Sequence, residues 1–248
     1  MIITIDDKPC VCEQGEYLLQ IAARNGITIP TLCHHDGLPE QACCRVCIVE
    51  VEIDKRRSIV TACVYPVEAG CAVYTNSESV SRQRRMILAM LRSLAPESAE
   101  IARLCEEYNA PVFDRFVSNP DGGKCILCGS CVRACESLGT GAIGTANRGV
   151  LKTVTTPYNE PSMACVGCAS CAAVCPTGSI KVTEADGQRR IWNKVFSIVT
   201  CKICGAEMGT LMELWRAAMK AGANEAAEIC ESCRKKAIAD VMAVTYGR

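Results

Sequence analysis

The chain has 248 residues, of which 49% are hydrophobic and 22% are charged, and 27 basic side chains balance 27 acidic ones. This composition is typical of a folded globular protein and excludes extensive intrinsic disorder. A net charge of zero gives no overall attraction to nucleic acid or to an anionic membrane surface, and no stretch reaches the ~18 consecutive apolar residues that a membrane span needs.

Cysteine is the residue type that stands out, because it occupies 21 positions. The N-terminal segment MIITIDDKPC has acidic residues where a secretory signal would have a basic start and an apolar core, so we expect a cytoplasmic protein. In a reducing compartment, thiols in such number are typically metal ligands rather than disulfides. Sixteen of the cysteines fall into four groups of four.

The N-terminal region predicts a small mixed domain. Residues 2–14 predict a hairpin, and residues 16–25 predict a helix that Gly26 ends. Apolar and β-branched residues then predict strands at 46–53 and 58–64. The first cysteine group lies in this region and consists of Cys33, Cys44, Cys47 and Cys63.

This order of elements resembles the β-grasp [2Fe–2S] ferredoxin domain. The first gap between cysteines is ten residues instead of the four of plant-type ferredoxins, so the spacing is a variant. The strings CCRVCIVEVE and IVTACVYPVEAGCAVYT resemble the N-terminal [2Fe–2S] domain of the large peripheral-arm subunit of respiratory complex I. The same domain opens [FeFe]-hydrogenases and the small diaphorase subunits of NAD-reducing hydrogenases. The resemblance implies one [2Fe–2S] cluster on the first cysteine group.

Three neighbouring residues are weighed as further ligands. Cys43 is interpreted as a packed thiol, with a role as a substitute ligand as the alternative. His34 and His35 follow Cys33 directly, and a Rieske centre uses two histidines. Because the first group already supplies four thiols, we interpret both histidines as loop residues without a ligand role.

The next segment opens with SESVSRQRRMILAMLRS and resembles a region in which the same families hold a further [4Fe–4S] cluster by one His and three Cys. Here that region has no His and a single thiol, Cys105. We therefore expect this cluster to be absent and two helices to remain, with Pro96 in the first turn of the second and Cys105 buried.

The basic runs Lys55–Arg57 and Arg82–Arg85 are interpreted as solvated surface, with docking to a partner as the alternative.

The most specific signal is a repeated C-x2-C-x2-C-x3-C spacing, in CILCGSCVRAC and again in CVGCASCAAVC. In such a run three thiolates bind one [4Fe–4S] cluster and the fourth binds the other cluster. The spacing predicts a cluster-one set of Cys125, Cys128, Cys131 and Cys175. It predicts a cluster-two set of Cys135, Cys165, Cys168 and Cys171. Two zinc knuckles are the alternative, which three cysteines at three-residue steps disfavour.

A literal GxGxxG occurs at Gly139–Gly144, but a dinucleotide site needs a strand before it and a helix after it. Its position directly behind Cys135 therefore argues against nucleotide binding.

The last cysteine group forms two C-x2-C pairs near the C-terminus. The strand-like FSIVT leads into the first pair, and the second pair opens a helix. Four thiolates arranged as a knuckle and a helix start resemble a treble-clef zinc finger, and a fourth iron–sulfur cluster is the alternative because the same ligands serve either metal. The members of this tail set are Cys201, Cys204, Cys230 and Cys233.

Together the segments predict an α+β protein in four parts. Residues 1–76 form the β-grasp [2Fe–2S] domain and residues 77–112 a helical linker. Residues 113–190 form a bacterial-type two-[4Fe–4S] ferredoxin domain, and residues 191–248 form a small zinc-finger-like tail.

The resemblance implies an electron-transfer subunit of a cytoplasmic, anaerobic oxidoreductase complex. One partner would be a flavin-bearing, NAD(P)H-oxidising subunit, and the other a hydrogenase, a formate dehydrogenase-type enzyme or soluble ferredoxin. Electron bifurcation at the partner flavin stays open. No segment resembles a hydrogenase active-site, molybdopterin or flavin domain, so we expect no catalytic site in this chain. The alternatives are an iron–sulfur subunit that feeds a quinone and a redox-sensing regulator.

Overall fold

The computed structural model describes residues 1–68, 70–113 and 123–246. It contains both helices and sheets, so the predicted α+β class is confirmed. Among the helices of the described ranges, none combines the length and the apolar character required to cross a bilayer.

Close packing divides the chain into two compact units, which are described separately. Unit one contains residues 1–133 and the short segment 174–179, and unit two contains residues 134–173 and 180–248. The boundary falls inside the repeated cysteine region, so that each unit receives parts of both repeats. The division into four sequence segments stays a prediction.

A five-stranded sheet forms the base of unit one. Its strands are β1 (Ile2–Ile5), β2 (Lys8–Val11), β3 (Ile48–Ile53), β4 (Arg56–Thr61) and β5 (Ala72–Tyr74). They lie in the order β2-β1-β5-β3-β4, and neighbours are antiparallel except β1 and β5, which are parallel. Helix α1 (Leu18–Arg24) buries Leu18 and Ile21 in the core against this sheet, as the helical spacing predicts.

The two helices predicted for the linker are present. They are α2 (Glu78–Leu94) and α3 (Ala99–Glu107), each begun by a serine whose side chain accepts a backbone N–H of the first turn. Pro96 precedes the cap of α3 rather than standing in its first turn, because Ser98 is the cap. Cys105 is 6% exposed and packs in the core between the two helices, which confirms its prediction as a buried residue.

The arginine run on α2 is only partly a solvated face. Arg82 and Arg85 are exposed, but Arg84 is 1% exposed. The prediction of a solvated face is therefore wrong at Arg84, because this residue lies on the side of α2 that carries the buried Val80 and Leu88. Its spacing of four residues from both Val80 and Leu88 separates Arg84 from its basic neighbours on the helix.

Residues 123–246 add two antiparallel sheets and four α-helices. The strands are β6 (Gly144–Ala146), β7 (Thr153–Thr155), β8 (Thr183–Ala185), β9 (Gln188–Ile191), β10 (Lys194–Thr200) and β11 (Glu207–Thr210). Strands β6 and β7 form a hairpin, and the others form a sheet of order β11-β10-β9-β8. The helices are α4 (Ser130–Ser137), α5 (Ser170–Ala173), α6 (Leu211–Lys220) and α7 (Glu231–Tyr246). The strand predicted before Cys201 and the helix predicted after Cys230 are thus confirmed.

The GxGxxG string lies between α4 and β6, so that a helix precedes it and a strand follows it. This is the reverse of the order in a dinucleotide-binding unit. The structure therefore agrees with the sequence argument against nucleotide binding at Gly139–Gly144.

Candidate metal centres

The first cysteine group comes together at one end of the sheet in unit one. Cys47 directly precedes β3 and Cys63 follows β4 by two residues, and the antiparallel pairing of these strands leaves their Sγ atoms 3.5 Å apart. Cys33 and Cys44 come from the loop between α1 and β3. All four residues are buried.

Hydrogen bonds between these thiols lower the pKa of Cys33 and Cys47 and raise the pKa of their partners Cys44 and Cys63. Contacts with the side chains of Cys43 and Cys44 lower the pKa of Cys33. The hydrogen bond between Cys47 and Cys63 lowers the pKa of Cys47 to about 7. Iron binds the thiolate and not the thiol, so the lowered pKa values favour metal binding at Cys33 and Cys47.

Cys43 departs from its prediction as a packed thiol. It is exposed, and its thiol donates to the backbone carbonyl of Cys128 at 3.1 Å. The loop around it is tightly wound, since Ala42 and Arg45 both adopt the left-handed conformation, with φ of 52° and 61°. Such strained backbone is common at functional sites.

The histidine next to this group is held by carboxylates. His34 Nδ1 lies 2.6 Å from Glu40 and its Nε2 lies 3.1 Å from Asp36. His35 Nδ1 accepts the backbone N–H of Gly37 at 3.1 Å. With both ring nitrogens of His34 engaged, the geometry agrees with its interpretation as a loop residue.

The cluster-one set lies within unit one. The segment 174–179, which carries Cys175, belongs to this unit together with the first three cysteines of the set. The negative charge of Cys175 acts on Cys125, whose pKa is raised mainly by burial. Backbone N–H groups point at the sulfurs, from Leu127 to Cys125 at 3.4 Å and from Ser179 to Cys175 at 3.3 Å.

The cluster-two set lies within unit two and lines one cavity. Cys135 is placed there with Cys165, Cys168 and Cys171, and apolar side chains including Ile143 complete the lining. The backbone N–H of Ala142 donates to Cys135 Sγ at 3.2 Å. A pocket walled by thiols and apolar side chains, with a backbone N–H donated to one of the sulfurs, fits a buried anionic cluster.

Two side chains from the β9–β10 turn support this cavity. Trp192 donates its indole N–H to Cys171 Sγ at 3.4 Å, and Lys194 Nζ donates to the carbonyls of Ser162 and Cys165 at 3.0 and 2.9 Å. Burial raises the pKa of Cys171 to about 11, and the bond from Trp192 opposes this shift. Trp192 has φ of 50°, which is costly for a bulky residue and which the tight turn imposes.

Replacing Trp192 with Phe is expected to lower the reduction potential of the cluster bound by Cys171. The indole N–H stabilises sulfur charge, which increases on reduction, and one such bond contributes about 1 kcal/mol, or about a fivefold change in the reduction equilibrium. EPR-monitored redox titration measures this shift. Trp215→Phe, at the other tryptophan of the chain, is the matched control and should leave both potentials unchanged.

Gly167 sits where a side chain does not fit. Its φ is 74°, and a Cβ there would lie 2.7 Å from ring atoms of Phe196. We expect Gly167→Ala to destabilise unit two by about 1–3 kcal/mol and to lower iron content. The control is Gly129→Ala, which has a similar φ of 72° but meets the movable Gln41 side chain. Urea titration of both variants gives the comparison, and equal losses would contradict the clash.

Within unit one, the first cysteine group and the cluster-one set are neighbours. Arg133 Nη2 donates to the carbonyl of Cys33 at 2.8 Å, and Cys43 bonds the carbonyl of Cys128. Cys33, Cys44 and Cys128 belong to one buried core cluster. These contacts place the two sites side by side in the same packed interior.

The tail set is compact enough for a single ion. The four sulfurs lie within 4.8 Å of one another, and those of Cys204 and Cys230 are 3.7 Å apart. The backbone N–H of Cys230 donates to Cys201 Sγ at 3.2 Å, and this bond contributes most to lowering the pKa of Cys201 to about 6. This hydrogen bond therefore favours the thiolate of Cys201, the form that binds metal.

Sequence comparison agrees with this placement of the cysteines. The family described as a 2Fe-2S iron-sulfur cluster binding domain matches residues 1–78, and the family described as a 4Fe-4S dicluster domain matches residues 124–179. The chain is an iron–sulfur protein with a [2Fe–2S] domain followed by a [4Fe–4S] dicluster domain. Its relatives are named as subunits of NAD(P)H-linked oxidoreductases and hydrogenases.

Three proteins illustrate the relationship. The NADPH-Fe(3+) oxidoreductase subunit alpha of Geobacter sulfurreducens is 31% identical over 82% of this chain and 26% of its own length. The NADP-reducing hydrogenase subunit HndD of Solidesulfovibrio fructosivorans is 33% identical over 73% of this chain and 36% of its own length. A chain of an NAD+-reducing [NiFe]-hydrogenase crystal structure matches with a TM-score of 0.61 and 27% identity, over 72% of this chain and 85% of that one. The chain thus spans about a quarter to a third of the length of these two curated relatives.

Sequence reasoning found the cysteines but missed three side chains that surround them. Trp192 and Lys194 contact the cluster-two loop, and Arg84 lies beside Cys47. A tryptophan in a chain with only 4% aromatic residues was an available signal for the first. For Arg84 the signal was its helical spacing from Val80 and Leu88, whereas nothing in the sequence distinguished Lys194 from a surface residue.

Proposed function

We propose that the chain relays single electrons from a flavin-containing, NAD(P)H-oxidising subunit to a hydrogenase, a formate dehydrogenase-type subunit or a ferredoxin, in a cytoplasmic complex. An iron–sulfur cluster, when bound, takes up or releases one electron, and the protein sets its position and potential. The proposed [2Fe–2S] ligands are Cys33, Cys44, Cys47 and Cys63. The proposed [4Fe–4S] ligands are Cys125, Cys128, Cys131 and Cys175 for cluster one, and Cys135, Cys165, Cys168 and Cys171 for cluster two.

The crossed ligand sets are supported by where the fourth cysteines lie. Cys175 follows the second repeat along the chain, yet it packs in unit one with Cys125. Cys135 ends the first repeat, yet it lines the cavity of unit two with Cys165 and Cys171. Each unit thereby receives the four thiols of one [4Fe–4S] cluster.

The observation that carries the relay is the proximity of the [2Fe–2S] and cluster-one ligand sets inside unit one. Cys33 and Cys44 of the first set share one buried core cluster with Cys128 of the second. Along the chain, Cys131 of cluster one and Cys135 of cluster two are four residues apart. Centres connected in this way suit stepwise electron transfer, and no substrate pocket is needed for it.

The tail set is proposed to bind zinc. A tetrahedral ion with Zn–S bonds of about 2.3 Å holds its sulfurs about 3.8 Å apart, and the sulfurs of Cys204 and Cys230 are separated by 3.7 Å. A four-iron cube binds each thiolate to a different iron and spreads the sulfurs further. The compact spacing therefore favours zinc over a fourth cluster.

Anaerobic purification of the tagged chain from its own cells tests the relay. We expect a flavin-containing subunit to co-purify, detected by flavin fluorescence, and NAD(P)H to bleach the visible iron–sulfur absorbance of this complex. The chain separated from the flavin subunit should keep its colour but no longer respond to NAD(P)H. Oxidation of NAD(P)H by the separated chain, or recovery with a membrane anchor or with DNA, would contradict the proposal.

A further inference from the structure

Arg84 is a fully buried cation that bonds only neutral oxygens. Nε donates to the carbonyl of Val46 at 3.1 Å, and Nη2 donates to the carbonyls of Ile48 and Thr75 at 2.6 and 3.2 Å. Nη1 donates to the Thr75 carbonyl and to Asn76 Oδ1, both at 3.2 Å. The guanidinium therefore uses its whole hydrogen-bonding fork inside the protein.

No carboxylate balances this charge. Within residues 1–68, 70–113 and 123–246, the arginines that form ion pairs with glutamates are Arg24, Arg57, Arg103 and Arg189, and Arg84 forms none. Its guanidinium carbon lies 5.3 Å from the ring centre of Tyr108, so that an aromatic face covers it. A buried charge without a counter-ion is costly, and five bonds to neutral groups only partly offset that cost.

The position of Arg84 indicates which anion it serves. Val46 and Ile48, whose carbonyls it binds, flank Cys47 on both sides. Cys47, which lies between these two residues, is a proposed [2Fe–2S] ligand. A two-iron centre with four thiolates is negatively charged, and its charge grows when it accepts an electron without a proton.

We propose that Arg84 is a positioning residue that raises the reduction potential of the [2Fe–2S] cluster through its uncompensated charge. This inference rests on the proposed ligand set. A fixed cation inside the protein stabilises the reduced cluster more than the oxidised one, because the reduced cluster carries the greater negative charge. Arg84 thereby sets the place of this cluster in the order of electron transfer.

EPR-monitored redox titration of the full chain, purified anaerobically, tests the charge directly. Arg84→Met should shift the reduction equilibrium of the [2Fe–2S] cluster roughly tenfold toward the oxidised form, which is about 59 mV for a one-electron couple. Arg84→Lys keeps the charge while it loses most of the hydrogen bonds, so its potential should stay close to wild type. Arg82→Met removes the same charge from the exposed face of the same helix and should have little effect.

A second, isosteric variant changes the charge near the guanidinium while the buried Arg84 side chain stays in place, so it tests the charge even if Arg84→Met does not fold. Asn76→Asp places a carboxylate on the guanidinium without removing Arg84. It should shift the reduction equilibrium of the [2Fe–2S] cluster severalfold toward the oxidised form. Ser77→Asp adds the same charge one residue later, where aspartate still caps the helix, and serves as its control.

The outcomes separate the two proposals. An unchanged potential in Asn76→Asp, or equal shifts in Arg84→Met and Arg84→Lys, would overturn the role of Arg84 and assign it a purely structural one. Absence of a [2Fe–2S] signal in the wild-type chain would instead overturn the proposed ligand set.

Discussion

Replacing Cys175 with alanine is expected to abolish the cluster bound by Cys125, Cys128 and Cys131. Cys175 is only four residues from Cys171, but it packs in unit one with Cys125. About four iron atoms per chain should be lost, and the remaining [4Fe–4S] cluster should keep its signal. The reciprocal Cys135→Ala should abolish the other cluster, since Cys135 lines the cavity of unit two.

Two reference variants assign the signals without any assumption about crossing. Cys128→Ala removes a middle ligand of cluster one, and Cys168→Ala removes a middle ligand of cluster two. The EPR spectrum of Cys175→Ala should match that of Cys128→Ala, and the spectrum of Cys135→Ala should match that of Cys168→Ala. The opposite pairing of spectra would show that each repeat binds its own cluster.

Removal of the tail metal is expected to unfold the C-terminal helix while the iron stays in place. In α7 only Cys233 is buried, so packing contributes little to its stability. Structural zinc contributes about 10–16 kcal/mol in zinc-finger peptides, which is more than an exposed helix of this length can supply for itself. Cys233→Ala should therefore lose the zinc and expose the amides of 231–246.

Hydrogen exchange with metal analysis measures both effects in the same preparation. Ser232→Ala, the exposed neighbour in the same helix, should keep the zinc and the protection of α7. Loss of iron instead of zinc from Cys233→Ala would identify the tail set as a fourth cluster. Retained protection of α7 after metal loss would contradict the stabilising role of the ion.

The cysteine pattern was readable from the sequence because cluster ligation is largely local. Three thiols at three-residue steps share one loop, and the two C-x2-C pairs of the tail each lie in one short turn or helix start. The same locality explains why α1, α2 and α6 follow their apolar periodicity closely. Pro96 was misplaced by a few residues, because capping by Ser98 decided where α3 begins.

The residues that sequence reasoning missed depend on contacts between distant parts of the chain. Trp192 and its partner Cys171 are 21 residues apart, and Arg84 and Val46 are 38 apart. Arg84 is four residues from both Val80 and Leu88, so helical spacing places it on the apolar face of α2, but its hydrogen bonds arise only when α2 packs against β3. Cys43 was misread for a similar reason, since its partner carbonyl, of Cys128, lies 85 residues away.

Metal analysis with quantitative EPR of anaerobically purified protein tests most directly whether the chain holds three iron–sulfur clusters in series. We expect about ten iron atoms and one zinc per chain, with reduced-state signals from one two-iron and two four-iron centres. About fourteen iron atoms without zinc would keep the relay and assign a fourth cluster to the tail. A colourless, iron-poor and EPR-silent preparation would contradict the account.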